Sequence, residues 1–115
     1  MNFNSVSINE LNGASTANYD GANFGIVKMD HDGKVIDYNS SQVNHTGMSK
    51  AAVMGKHFFS QVAPCTNNFM VAQKYENNPV LDEGLDYTFT LKMAPTPVKL
   101  RLLKDGSSQY LLCDW

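Results

Sequence analysis

Alternating apolar and polar residues, together with β-prone runs bounded by turn residues, predict five β-strands, at 24–29, 34–38, 86–93, 98–104 and 109–114. The alternation is clearest from Asp86 to Met93, where Tyr87, Phe89, Leu91 and Met93 share one face, as in a half-buried strand. The first two runs flank Asp30-His31-Asp32-Gly33, whose Asp and Gly residues favour a tight reversal. We therefore expect an antiparallel hairpin near the start and further strands in the second half.

Short helices are predicted between and before the strands. Residues 39–61 contain scattered Ser, Asn and Gly residues that bracket short pieces such as Ser49 to Met54. Asn67 or Asn68 can cap a longer helix that runs to about Glu76, with Phe69, Ala72 and either Tyr75 or Glu76 at helical spacing. In the polar segment 1–21, Ile8 and Leu11 fit one short helix that caps the core.

The order of two strands, helices and three strands predicts an α+β fold. Hairpin-connected strands favour a central five-stranded antiparallel sheet with short helices on one face, which leaves room for a ligand between the layers. This layout is typical of a PAS-like sensor. We expect an N-terminal cap at 1–21 and a ligand-binding PAS-like domain at 22–115.

Composition and charge narrow the function classes. The chain has 115 residues, of which 43% are hydrophobic and 17% charged, as expected for one globular core. Its net charge of −2 and the lack of a Lys/Arg run argue against a nucleic-acid partner. Neither a secretory signal nor a membrane-spanning stretch is evident, which predicts a cytoplasmic protein without a membrane partner. In a reducing compartment Cys65 and Cys113 are expected to be free thiols. They lie too far apart in the sequence, and from the histidines, to match the spacing of metal ligands.

Cys65 is the main candidate for chemistry in Pro64-Cys65-Thr66. If a helix begins at Asn67 or Asn68, its N-terminus would favour the thiolate of Cys65. The alternative is an inert thiol in the core, since Cys is among the most buried residue types. A Cys/His hydrolase would need a histidine beside the sulfur, and the spacing does not place His57 there.

A series of ordered motifs lies at 32–39, 46–47, 55–59, 62–66, 87–89 and 93–96. The most specific of them is Pro-Cys-Thr after Phe-Phe-x-x-Val-Ala. In these motifs the chain resembles the photoactive yellow proteins, a family of PAS-like blue-light photoreceptors. The resemblance covers about residue 24 to the C-terminus, with a shorter segment after Cys65 and a gap before Gly106.

The resemblance implies a p-coumaroyl (4-hydroxycinnamoyl) chromophore attached as a thioester to Cys65, which signals by trans–cis photoisomerisation to an unidentified downstream protein. It also implies that Tyr38 donates a hydrogen bond to the buried phenolate and that Thr46 supports Tyr38. Such donors are needed because an uncompensated phenolate in an apolar pocket is strongly destabilised. The implied pocket wall consists of Val27, Phe58, Val62, Ala63, Thr66, Phe89 and Met93, which are also ordinary core positions.

Two residues depart from the family pattern. Gln42 stands where the family usually has a buried Glu, and Met48 stands where it often has an Arg. A carboxamide can donate a hydrogen bond but cannot release a proton. We therefore expect absorption to the red of Glu-containing relatives and proton uptake from solvent during the photocycle. Met93 matches the position linked to thermal re-isomerisation.

Two other functions remain open at the level of sequence. A PAS-like module could bind another ligand or a protein partner without covalent chemistry, and a thiol enzyme is the second alternative. The favoured interpretation is a photoreceptor rather than an enzyme.

Overall fold

The computed structural model describes residues 1–90 and 94–115, whose strands form one five-stranded antiparallel sheet. The spatial order of the strands is β2-β1-β5-β4-β3. Their bounds are β1 Gly25–Met29, β2 Val35–Tyr38, β3 Leu81–Phe89, β4 Thr96–Lys104 and β5 Gln109–Asp114. The α+β class and the central five-stranded sheet are therefore confirmed.

The predicted hairpin joins β1 and β2. Its turn is held by Asp30, whose Oδ1 accepts from the backbone N–H of Asp32 at 3.0 Å and of Lys34 at 2.9 Å. Gly33 has φ +85°, a conformation that residues with a side chain rarely adopt. The pairing places Tyr38 opposite Val27.

Strand β3 is longer at its start than the sequence predicts. It begins at Leu81, because β4 pairs with it continuously from Leu81 opposite Lys104 to Phe89 opposite Thr96. Gly84 interrupts the apolar pattern of this segment, and a gap in pattern does not stop backbone pairing. Leu91 and Met93, predicted on the same strand, lie outside the described residues.

Within residues 1–90 and 94–115, five α-helices lie around the sheet: α1 Ile8–Gly13, α2 Thr16–Asp20, α3 Ser40–Thr46, α4 Lys50–Val53 and α5 Ala72–Asn77. The helix predicted to contain Ile8 and Leu11 is α1, but the sequence analysis missed a second helix, α2, in the same segment. Ser7 and Ser15 each form a capping box, with Glu10 and Asn18 respectively, and so start two separate helices.

The helix predicted from Asn67 or Asn68 begins only at Ala72. Asn68 Oδ1 accepts from the backbone N–H groups of Met70 and Val71, at 3.0 and 3.2 Å, and so stabilises a turn instead of the first helical residues. Phe69, predicted on the buried face of that helix, is 72% exposed.

Apolar residues pack on both faces of the sheet. Successive residues of β5 alternate between the two cores: Leu111 and Cys113 belong to the main core beneath α3 to α5, while Tyr110 and Leu112 belong to a second core. The second core also contains Phe3, Val6, Leu11 and Tyr19 of the N-terminal segment. In the described parts of the chain, no helix has both the length and the apolar character to cross a bilayer.

Candidate functional site

A buried hydrogen-bonded pair joins the end of β2 to the end of α3. Tyr38 and Thr46 lie 2.8 Å apart, Oη to Oγ1, and both side chains are buried. Thr46 Oγ1 also donates to the backbone carbonyl of Gln42 at 2.8 Å, one helical turn earlier. Because a threonine hydroxyl has a single proton, Tyr38 must be the donor in the pair.

Gln42 lies on the same face of α3 as Thr46, four residues earlier, and is 1% exposed. Its side chain lies against Gly25 of β1, where an added Cβ would come within 1.9 Å of Gln42 Oε1. The same oxygen accepts a hydrogen bond from the indole Nε1 of Trp115 at 3.2 Å. Glycine at 25 is therefore what allows a long amide side chain to lie over this strand.

The environment of Tyr38 disfavours a negative charge on its own ring. Burial raises the pKa of Tyr38 to about 12, although the hydrogen bonding of Thr46 and Gln42 lowers it in part and the buried Cys113 thiol adds to the rise. Burial likewise raises the pKa of the Cys113 thiol well above its usual range. Tyr38 is thus a neutral hydrogen-bond donor at physiological pH.

Cys65 is partly buried within a short 3-10 turn, Pro64–Thr66, and packs against the main core. Its carbonyl accepts from Tyr87 Oη at 2.5 Å and from Asn68 Nδ2 at 3.2 Å. The expectation that a helix N-terminus lies beside the thiol is wrong, because α5 begins at Ala72. Instead, the side chains of Tyr87 on β3 and of Asn68 in the loop after Thr66 hold this turn in position.

The other predicted pocket residues lie mostly in one place. The main core contains Val27, Phe58, Val62, Ala63 and Phe89, together with Tyr38. Thr66 is buried and donates to the carbonyl of Ala63 at 2.6 Å. Met48 packs against the same core, whereas Met93 lies outside the described residues.

His57, the histidine that a thiol hydrolase would require, is engaged elsewhere. Its Nδ1 lies 2.7 Å from Ser60 Oγ, and its ring packs edge-on against Phe59. Of the hydrogen bonds formed by residues 1–90 and 94–115, none joins His57 to Cys65. The arrangement gives no support to a Cys/His pair.

Sequence reasoning missed Trp115 and Gly25, both of which contact the Gln42 amide. They were missed because their positions depend on how distant strands pair. Strand β1 pairs with β5 so that Gly25 lies opposite Cys113. Residues two apart on a strand share a face, so Trp115 follows Cys113 towards α3. Period-two alternation in β5 was the available signal, but it does not reveal which helix lies above that face.

Comparison with known proteins identifies the family, although no protein-family model matches the chain. The photoactive yellow protein of Halochromatium salexigens is 36% identical over 84 residues, which cover 70% of this chain and 67% of that protein. That of Rhodothalassium salexigens is 33% identical over 89 residues, covering 75% and 71%. The chain belongs to the photoactive yellow protein family.

A solved structure agrees with this assignment. The photoactive yellow protein domain of the sensor histidine kinase Ppr from Rhodospirillum centenum is 27% identical and superposes with a TM-score of 0.85, covering 93% of this chain and 98% of that one. A sensory-box domain from Geobacter sulfurreducens, with 14% identity and a TM-score of 0.71, shares the fold alone. The predicted PAS-like fold is confirmed, and the chain is a PAS-type photoreceptor or sensor.

Proposed function

We propose that this protein is a blue-light photoreceptor whose p-coumaroyl chromophore is attached as a thioester to Cys65. The observation that carries the proposal is the buried group formed by Tyr38, Gln42 and Thr46, which lines the same core as Cys65 in a chain of this family. When bound, the chromophore would supply blue-light absorption and trans–cis isomerisation.

The donor set fits a phenolate. A buried anion needs hydrogen-bond donors, and each bond to a charged group contributes about 1.5–3 kcal/mol. The Tyr38 hydroxyl and the Gln42 amide are both buried donors, and they approach the core from β2 and from α3 respectively. Apolar side chains of the main core, such as Phe58 and Phe89, would exclude water from the phenolate ring of the chromophore.

Each residue then has a distinct task. Tyr38 would donate its one hydroxyl proton to the phenolate oxygen instead of to Thr46, because that proton cannot serve both acceptors fully. Thr46 remains beside Tyr38 and holds its ring orientation. Gln42 donates through Nε2 but has no proton to release, so neutralising the phenolate after illumination requires a proton from solvent.

Reconstitution tests the proposal directly. The apoprotein is mixed with an activated p-coumaric acid ester, from which the acyl group passes to Cys65 Sγ as the thiol proton leaves with the released activating group. We expect a yellow product that bleaches reversibly in blue light, with a mass increase equal to one p-coumaroyl group less the thiol hydrogen that it replaces.

The two cysteines provide a matched control. Cys65→Ser should give neither colour nor added mass, whereas Cys113→Ser should give both, because Cys113 is fully buried. A wild-type protein that stays colourless and unmodified would contradict the proposal and favour a PAS-type sensor of a non-covalent ligand. An adduct retained in Cys65→Ser would reject Cys65 as the attachment site.

A further inference from the structure

The hydrogen bond between Trp115 and Gln42 determines which way the buried amide faces. An indole N–H is a donor only, so its partner at 3.2 Å must be the amide oxygen and not the amide nitrogen. The two ends of a carboxamide otherwise look alike and are assigned from their hydrogen bonds. With Oε1 engaged by Trp115, Nε2 lies on the other side of the amide carbon.

Aromatic contacts on both sides hold Trp115 in this position. Its ring stacks on His45 with centroids 5.1 Å apart and planes within 4°, and it tilts over the buried Phe89 at 5.0 Å. The His45 ring is itself fixed, because Nδ1 lies 2.9 Å from the carbonyl of Ser41 and donates to it. The indole is therefore clamped between α3 and β3.

The rest of Gln42 has little freedom to compensate. Its backbone N–H donates to Asn39 Oδ1 at 3.2 Å, its carbonyl accepts from Thr46, and its side chain is 1% exposed. Gly25 lies directly beneath Oε1. In these surroundings the remaining choice for the side chain is between its two amide orientations.

We propose that Trp115 is a positioning residue that orients the Gln42 carboxamide, so that Nε2 is the end presented to an anionic ligand oxygen beside Tyr38. This inference rests on the proposed function, because the ligand oxygen is the chromophore phenolate. In this role, Trp115 ensures that the Gln42 carboxamide, which replaces the Glu usual in the family, presents its Nε2 donor and not its oxygen.

Loss of the indole N–H has a definite consequence. The orientation that points Oε1 at the phenolate becomes accessible, and an amide oxygen repels an anion that Nε2 would stabilise. The phenolate is then less stable than in the wild type. Its protonation on acidification should occur at higher pH, and its absorption should move to the red.

The contact can be tested without chromophore, because Trp115 is the only tryptophan in the chain. The ¹⁵N-labelled apoprotein should give a single indole N–H resonance, and its exchange with solvent should be several-fold faster in Gln42→Leu than in the wild type. Gln42→Glu should restore slow exchange, since a carboxyl oxygen accepts the same bond. Equal exchange in the wild type and Gln42→Leu would overturn the inference.

The consequence is tested in the reconstituted protein. Trp115→Phe keeps an aromatic ring against His45 and Phe89 but lacks the N–H. We expect a red-shifted band and a raised pH midpoint for loss of the yellow colour, while His45→Ala, which keeps the N–H, should change both much less. A Trp115→Phe protein with the wild-type band and midpoint would refute the positioning role.

Failure of the proposed function gives a different result. In that case wild-type protein forms no Cys65-dependent adduct, while the indole exchange experiment still decides whether Trp115 orients Gln42.

Discussion

At the scale of single residues, the site depends on which atoms can give a hydrogen bond. Tyr38 and Gln42 are buried neutral donors, and Thr46 uses its one proton on the helix backbone. A carboxylic acid in place of Gln42 would be a stronger donor than an amide and could also lose its proton. The identity of residue 42 therefore sets both the strength of the bond and the source of the photocycle proton.

Gln42→Glu should move the ground-state absorption band to the blue. A stronger donor stabilises the compact charge of the ground-state phenolate more than the delocalised charge of the excited state. The measurement is the absorption spectrum of the reconstituted variant beside wild type. Ser41→Glu, one residue earlier on α3 and partly exposed, is the control that adds a carboxyl group outside the buried cluster. A Gln42→Glu band at or to the red of the wild-type position would contradict the role of residue 42.

At the scale of elements, Asn39 joins three of them at the start of α3. Its Nδ2 donates to the carbonyls of Tyr19 and Phe24, at 2.8 and 2.9 Å, and its Oδ1 accepts from the N–H of Ile26 and Gln42, at 2.8 and 3.2 Å. This single buried side chain ties α2 and β1 to the helix that carries Gln42 and Thr46. It fixes where α3 begins relative to the sheet.

Asn39→Asp should destabilise the protein by about 3 kcal/mol. The change keeps the acceptor oxygen but replaces two donated bonds with a carboxylate facing two carbonyls, and a buried group without its partner costs about 1–3 kcal/mol. Urea unfolding measures the difference. Asn44→Asp, at an exposed position of the same helix, should stay within about 0.5 kcal/mol of wild type. Equal stability of the two variants would reject the joining role of Asn39.

Asp37 links β2 to α4 and α2. Its carboxylate lies 2.6 Å from Lys50 Nζ and accepts from Thr16 Oγ1 at 2.9 Å. Burial by itself raises the pKa of Asp37, but the hydrogen bonds from Lys50, from the Tyr38 backbone and from Thr16 together leave it lowered. A lowered pKa in the folded state stabilises the fold fully above the unfolded value of about 3.9, and this contribution is lost as the pH falls through the folded-state value.

Asp37→Asn should therefore lower the free energy of unfolding by about 1–2 kcal/mol at pH 7. The difference from wild type should shrink on acidification below about pH 4, where the Asp37 carboxyl of the unfolded chain binds a proton while that of the folded protein still resists protonation. Urea unfolding at a series of pH values provides the test. Asp32→Asn, exposed in the β1–β2 turn, serves as the control. A deficit that stays constant down to pH 2 would show that charge at Asp37 is not its cause.

At the scale of the whole molecule, Arg101 fastens the N-terminal segment to the sheet. From β4, its Nη1 donates to the carbonyls of Phe3 and Val6, at 2.9 and 2.7 Å, and its Nη2 lies 3.0 Å from Asp82 Oδ1 on β3. The segment covers the sheet face opposite the candidate site. We propose that residues 1–21 act as a cap whose release upon illumination signals to a downstream protein.

Arg101→Met should loosen this cap in the dark. We expect faster amide hydrogen exchange across residues 1–21, with strands β4 and β5 nearly unchanged, because the lost bonds end on the backbone of the segment. Lys99→Met, exposed two residues earlier on the same strand, is the matched control. Unchanged exchange in Arg101→Met would contradict the fastening role, and identical exchange of wild-type residues 1–21 in dark and light would contradict the signalling proposal.

The sequence alone determined the strand pattern, the hairpin at Gly33 and the constellation of Tyr38, Gln42, Thr46 and Cys65. The strand pattern and the hairpin follow from local rules of alternation and turn residues, whereas the four-residue constellation comes from the resemblance to the photoactive yellow proteins. Its errors were also local, since Ser15 starts a second helix and Asn68 stabilises a turn where a continuous helix was expected.

Tertiary structure alone decided what surrounds Gln42. Gly25 and Trp115 reach it from other elements, through the register of β1 with β5 and the docking of α3 on the sheet. Such contacts depend on residues up to 73 positions apart, Gln42 and Trp115 being the most distant pair. No periodicity along one chain segment encodes them, because register and docking result from the packing of the whole core.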